Sequence, residues 1–99
     1  MTFKVNNLNY NLLDLVRKLG YQPMKYTQQN ELNCVRLLGG EYPRFHIYLK
    51  EEGNILIFNV HLDQKKASYE GTSAHAGDYD SDIVKEEVAR VKEIIYESA

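Results

Sequence analysis

The 99-residue sequence predicts one α+β domain spanning 1–99. It reads as a two-layer sandwich, with an antiparallel sheet of three or four strands. An N-terminal and a C-terminal helix pack on one face, in α-β-β-β-α order. Three observations predict it. Apolar residues recur at helical spacing near both ends of the chain. Between Pro43 and Asp63, two runs alternate apolar and polar residues around a turn containing Gly53 and Asn54. Strand-like runs also follow one another through short connections, which favours an antiparallel meander.

Met1 to Val5 reads as a short edge strand or a loose end. Leu8, Leu12, Leu15, Val16 and Leu19 repeat every three or four residues and predict the first helix. Asn6, Asn7, Asn9 and Asn11 offer N-caps. Arg17 and Lys18 suit the negative end of the helix dipole, and Gly20 followed by Pro23 ends the helix. Tyr21 to Tyr26 reads as a short strand and Thr27 to Asn30 as a turn. Leu32 to Leu38 is a strand stopped by Gly39-Gly40. At the other end, Val84, Val88, Val91 and Ile95 form one apolar stripe of a helix. Asp80, Ser81 or Asp82 caps it, and Glu86 and Arg90 stand at i,i+4 spacing for an ion pair.

The stretch PRFHIYLKEEGNILIFNVHLD, from Pro43 to Asp63, is the centre of the chain. Phe45, Ile47, Leu49, Leu56, Phe58, Val60 and Leu62 belong to one face of a hairpin, the core face. The other face carries Arg44, His46, Tyr48, Ile57, Asn59, His61 and Asp63. A tight turn centred on Glu52-Gly53 sets His46 opposite Asn59 and Arg44 opposite His61. A one-residue slip mixes the two faces and is disfavoured by burial. A face that is only wet is usually richer in Lys, Glu and Thr than in His, Asn and Tyr, so these side chains mark the candidate site. The following stretch from Gln64 to Tyr79 has no apolar period and carries His75. It leaves the sheet beside His61 and Asp63, and is expected to fold over the polar face as a functional loop.

Composition narrows the function classes. An apolar fraction of 43% with 26% charged residues is ordinary for a globular chain. There is no long apolar run and no signal-peptide-like apolar region, so the expected setting is cytoplasmic, with no membrane partner. The single Cys34 offers neither an internal disulfide nor a Cys-pair zinc site. A net charge of −2 does not favour general binding to nucleic-acid phosphates. Charge is uneven, however. Residues 1–66 carry nine bases against six acids, and Arg36, Arg44, Lys65 and Lys66 form a candidate basic patch.

Three chemistries suit the polar face. His46, His61, Asp63 and His75 combine imidazole and carboxylate ligands, which suits a divalent metal such as zinc, or iron, nickel or manganese with an open position. A histidine pair beside Arg44 and Tyr48 also suits metal-free acid–base work on a phosphoester. Finally, Tyr48, Tyr69 and Tyr79 suit capture of a small ligand, an RNA segment, a protein or a second copy of the chain in a homodimer. No phosphate-binding glycine loop is present, because Gly39-Gly40 lacks the following Lys-Ser/Thr and helix.

The opening LLDLVRKLGY, the Leu19-Gly20-Tyr21 junction and the order of elements resemble the layout of small HicA-type RNA-cleaving toxins. The resemblance implies their double-stranded-RNA-binding-like fold. The Gly-Ser-His motif of those toxins is replaced by Gln28-Gln29-Asn30-Glu31, so it implies no catalytic residue here. The expected function is therefore a ligand- or partner-binding module. Its site is Arg44, His46, Tyr48, Asn59, His61, Asp63 and His75, with His46, His61, Asp63 and His75 as metal ligands. The alternative is a metal-dependent or His-based hydrolase or nuclease-like enzyme at the same face.

Overall fold

A computed structural model describes residues 1–6, 10–64, 77–78 and 80–97. The elements are β1 (Thr2–Asn6), α1 (Leu12–Lys18), β2 (Gln22–Tyr26), β3 (Leu32–Leu37), β4 (Arg44–Glu52), β5 (Ile55–Asp63), β6 (Gly77–Asp78) and α2 (Asp82–Glu97). This is a small α+β domain whose sheet runs β1-β5-β4-β3-β2, every pairing antiparallel, with the two-residue β6 also on β5. The expected three or four strands are thus five, before β6 is counted, and a strand precedes the first helix. Of the two readings open for Met1 to Val5, the edge strand is the one observed: in β1 Phe3 and Val5 are buried and Thr2, Lys4 and Asn6 exposed. β2 is a blunt edge strand, broken by a register shift between Pro23 and Lys25, as expected where proline removes a ladder donor.

α2 buries its predicted stripe, and α1 buries Leu15, Val16 and Leu19 of its own with Leu12 half-buried, while Leu8 lies outside the described residues. α1 starts at Asn11, whose side-chain oxygen accepts from the Asp14 backbone N–H at 3.2 Å. It ends at Gly20, whose φ of +92° is open to glycine at little cost. In α2, Ser81 is the cap: its Oγ accepts from the Val84 N–H and its carbonyl from the Lys85 N–H. Leu15, Val16 and Leu19 join Val84, Val88, Val91 and Ile95 in one hydrophobic core with Ile47, Leu49, Phe58 and Val60 of the hairpin. Phe58 stacks on Phe3 of β1 at 4.8 Å. No helix among the described residues is long and apolar enough to cross a membrane.

The β4–β5 hairpin keeps its predicted faces but not its predicted register. Glu52 pairs with Ile55, so the turn is Gly53-Asn54 and not Glu52-Gly53. The cause is local. Two-residue hairpin turns need a positive φ at their first central position. Gly53 takes φ +57° there, where Glu52 would be strained. The shift is two residues, which preserves both faces and moves every cross-strand partner.

Candidate functional site

That shift assembles the polar face. Arg44 now lies opposite Asp63, His46 opposite His61 and Tyr48 opposite Asn59. Six of the seven predicted site residues therefore occupy three alternate rungs of one ladder, all on the same face. His75 lies outside the described residues, as do Lys65, Lys66, Tyr69 and Tyr79 and most of the 64–79 stretch. The expected basic patch does not form as drawn. Arg36 pairs with Phe45, which puts it on the helix-covered face, where it meets Glu87 at 3.4 Å.

The imidazoles are not solvated. His46 is 8% and His61 5% exposed, although both lie on the face turned away from the core. Their rings lie 4.7 Å apart, and Tyr48 packs on both, at 4.6 Å from His46 and 5.8 Å from His61. Removal from water penalises the charged ring and lowers the pKa of both histidines below the ordinary value. For His46 the neighbouring His61 lowers it further, and for both rings Asp63 pulls the other way.

Asp63 is the hub. Its Oδ2 lies 3.1 Å from His46 Nδ1 and its Oδ1 lies 2.9 Å from His61 Nε2. Arg44 donates from Nε to Oδ2 at 3.4 Å, and its guanidinium lies 4.7 Å from the Tyr42 ring centre. On its far side His46 Nε2 meets the amide oxygen of Asn33, on β3. Asn33 was not anticipated as a site residue. The available signal was a strand-disfavoured amide between Leu32 and Cys34, in phase with the polar face once β3 lies beside β4.

One ligand atom each from His46, His61 and Asp63 falls within a 4.8 Å group. The imidazole-to-carboxylate separations of 3.1 and 2.9 Å run to the two different oxygens of Asp63, and neighbouring ligands on a tetrahedral ion with bonds of ~2.0 Å lie about 3.3 Å apart. Asn33 supplies the outer-shell acceptor that metal-bound histidines commonly have.

A second polar cluster lies on the helix side. Glu87, 3% exposed, accepts from the Tyr21 hydroxyl at 2.5 Å and from Arg90 through two bonds of 2.7 and 2.8 Å. The i,i+4 pair expected for Arg90 and Glu86 is thus replaced by an i,i+3 pair with Glu87. Arg90 also donates to the Leu19 carbonyl at 2.7 Å, so this cluster ties α2 to the end of α1. Cys34 is buried, its thiol facing the Ile47 carbonyl at 3.6 Å, and burial pushes its pKa up to about 12. That is a structural thiol, as its apolar strand suggests.

The fold and site define a small α+β domain with a polar, partly buried cluster on the sheet face opposite its hydrophobic core. No family model, curated protein or solved structure matches the chain. The element order on which the likeness to HicA-type toxins rests is not the observed one, because β1 precedes α1 and five strands, not three, form the main sheet.

Proposed function

We propose that the chain is a small ligand-binding module whose ligand is a divalent transition-metal ion, zinc foremost, held by His46, His61 and Asp63. The observation that carries this reading is the pairing around His46. With the Asn33 amide oxygen facing Nε2, the matching tautomer is Nε2–H, which leaves a lone pair on Nδ1. That lone pair faces the Asp63 carboxylate at 3.1 Å. Two acceptors this close repel unless a proton or a cation sits between them. A metal ion satisfies both, and imidazole with carboxylate is a donor set zinc accepts.

The test is zinc titration of chelator-stripped protein, followed by calorimetry and thermal melting. One zinc per chain is expected. At a free zinc concentration a hundred times Kd, binding stabilises the fold by about 2.7 kcal/mol. For a chain of this length that is a rise of roughly 10–15 °C in Tm. Asp63→Asn is isosteric and keeps a hydrogen-bonding group, so it should fold and lose the zinc-dependent shift. A wild-type melt that zinc does not move, or a full shift in Asp63→Asn, defeats the proposal.

A hydrolase at the same face is the second reading. It is favoured by the ligand count, since three protein ligands leave a coordination position open. Zinc-dependent turnover of a phosphoester or amide panel, lost in Asp63→Asn, is its signature. An inactive panel with zinc bound leaves the binding module alone.

A further inference from the structure

We infer that Arg44 completes the site, and that the metal-loaded cluster captures a phosphate dianion, free or as the terminal group of a phosphomonoester. The inference rests on the metal reading above and extends it to a substrate class.

Arg44 is held in a way that leaves its fork available. It is anchored through Nε to Asp63 Oδ2 at 3.4 Å and stacked over the Tyr42 ring at 4.7 Å. Among the described residues its two Nη groups make no hydrogen bond. Its side chain is 22% exposed, and that of Asp63 20%, whereas His46 and His61 are buried. The cluster therefore opens to solvent along its Arg44–Asp63 rung. A planar guanidinium fixed at one edge presents its remaining N–H groups in the geometry that oxyanions take bidentately.

Charge selects the oxyanion. Neutral imidazoles contribute nothing, Asp63 contributes one negative charge, and the dication and Arg44 contribute three positive charges. Two positive charges stay uncompensated in a partly buried place, where electrostatic interactions are stronger than in water. A dianion that binds the open metal position and the Arg44 fork together neutralises both. Phosphate at neutral pH supplies that charge, and its tetrahedral oxygens let one bind the ion while others accept from the guanidinium. A carboxylate would leave one charge over.

The experiment titrates inorganic phosphate, and then a phenyl phosphomonoester, into protein first saturated with one equivalent of zinc. Calorimetry follows wild type, Arg44→Ala and Arg44→Lys, each checked for folding by circular dichroism. Arg44→Lys keeps the charge and the stem should Arg44→Ala lower stability too far. Wild type is expected to bind phosphate at least tenfold more tightly than either variant, and tenfold more tightly than metal-free wild type. Equal affinity in Arg44→Ala, or no phosphate binding to zinc-loaded wild type, overturns the inference and leaves the metal site standing. Failure of zinc to bind overturns both, and the initial saturation step reports it separately. Binding of phosphate but not of the ester restricts the ligand to the free ion.

Discussion

Replacing Glu87 with Ala strands a tyrosine hydroxyl, and the cost can be worked from the environment of each partner. Tyr21 is 2% exposed and donates to Glu87 Oε2 at 2.5 Å. Left without an acceptor, a buried hydroxyl costs about 1–3 kcal/mol. The ion pairs contribute less than their short distances suggest. The Arg90 side chain is 34% exposed and retains the Leu19 carbonyl, so solvent screening reduces its loss to about 0–1 kcal/mol. Removing the buried Cγ methylene adds about 0.8 kcal/mol. The expected destabilisation is therefore about 2–5 kcal/mol, or roughly 10–25 °C in Tm for a domain of this size. Urea denaturation followed by circular dichroism measures it. A double-mutant cycle with Tyr21→Phe isolates the hydroxyl, because Phe has no group to strand. The two changes together should cost about 1–2 kcal/mol less than their sum. A Glu87→Ala cost under about 1 kcal/mol, or strict additivity in the cycle, would refute the account of this cluster as a buried tie between α2 and the end of α1.

Other outcomes follow from the same geometry. Cys34 should resist a thiol reagent in the native state and react stoichiometrically once unfolded. Rapid labelling without denaturant would contradict its burial. Its raised pKa also fixes a sign. The unfolded thiol ionises near 9.0 while the folded one holds its proton to about 12. Its contribution is thus complete below pH 9 and is lost as pH climbs through that interval. Stability measured at pH 8 should exceed that at pH 10.5, and the part owed to Cys34 should vanish in Cys34→Ala. In metal-free protein, ¹⁵N shifts should show His46 as the Nε2–H tautomer, donating to Asn33. Finding the proton on Nδ1 instead would mean that the Asn33 amide is turned the other way. It would also remove the acceptor–acceptor contact on which the metal reading stands.

The sequence makes the faces of this domain legible, but not its rungs. Burial punishes a one-residue slip because it moves the whole row from Phe45 to Leu62 to the wrong side. A two-residue slip preserves every face and costs no burial pattern, so alternation alone cannot choose between His46 opposite Asn59 and His46 opposite His61. What chooses is the turn, where the positive φ at Gly53 fits the first central position and excludes Glu52 from it. Applied to the sequence, that rule yields the Arg44–Asp63 and His46–His61 rungs directly.

Lateral order is harder to read, and it is where the remaining site residue lay. Asn33 reaches His46 only because β3 lies beside β4 with Val35 opposite His46. Glu87 presents the same problem in a helix. It falls inside the stripe of Val84, Val88 and Val91, where a carboxylate is costly to bury. A polar residue in an apolar phase announces a buried partner. Its identity waits on the packing, because Tyr21 is 66 residues away in the chain. The same argument gives the polar face its meaning. His46 and His61 are buried on the side where alternation alone predicts solvent. A buried imidazole pair around one carboxylate needs its hydrogen bonds and charges arranged as a unit. Here the unit contains one carboxylate, two rings whose burial disfavours their charged form, and a guanidinium whose Nη groups make no hydrogen bond among the described residues, an arrangement that a cation and its counter-anion would complete.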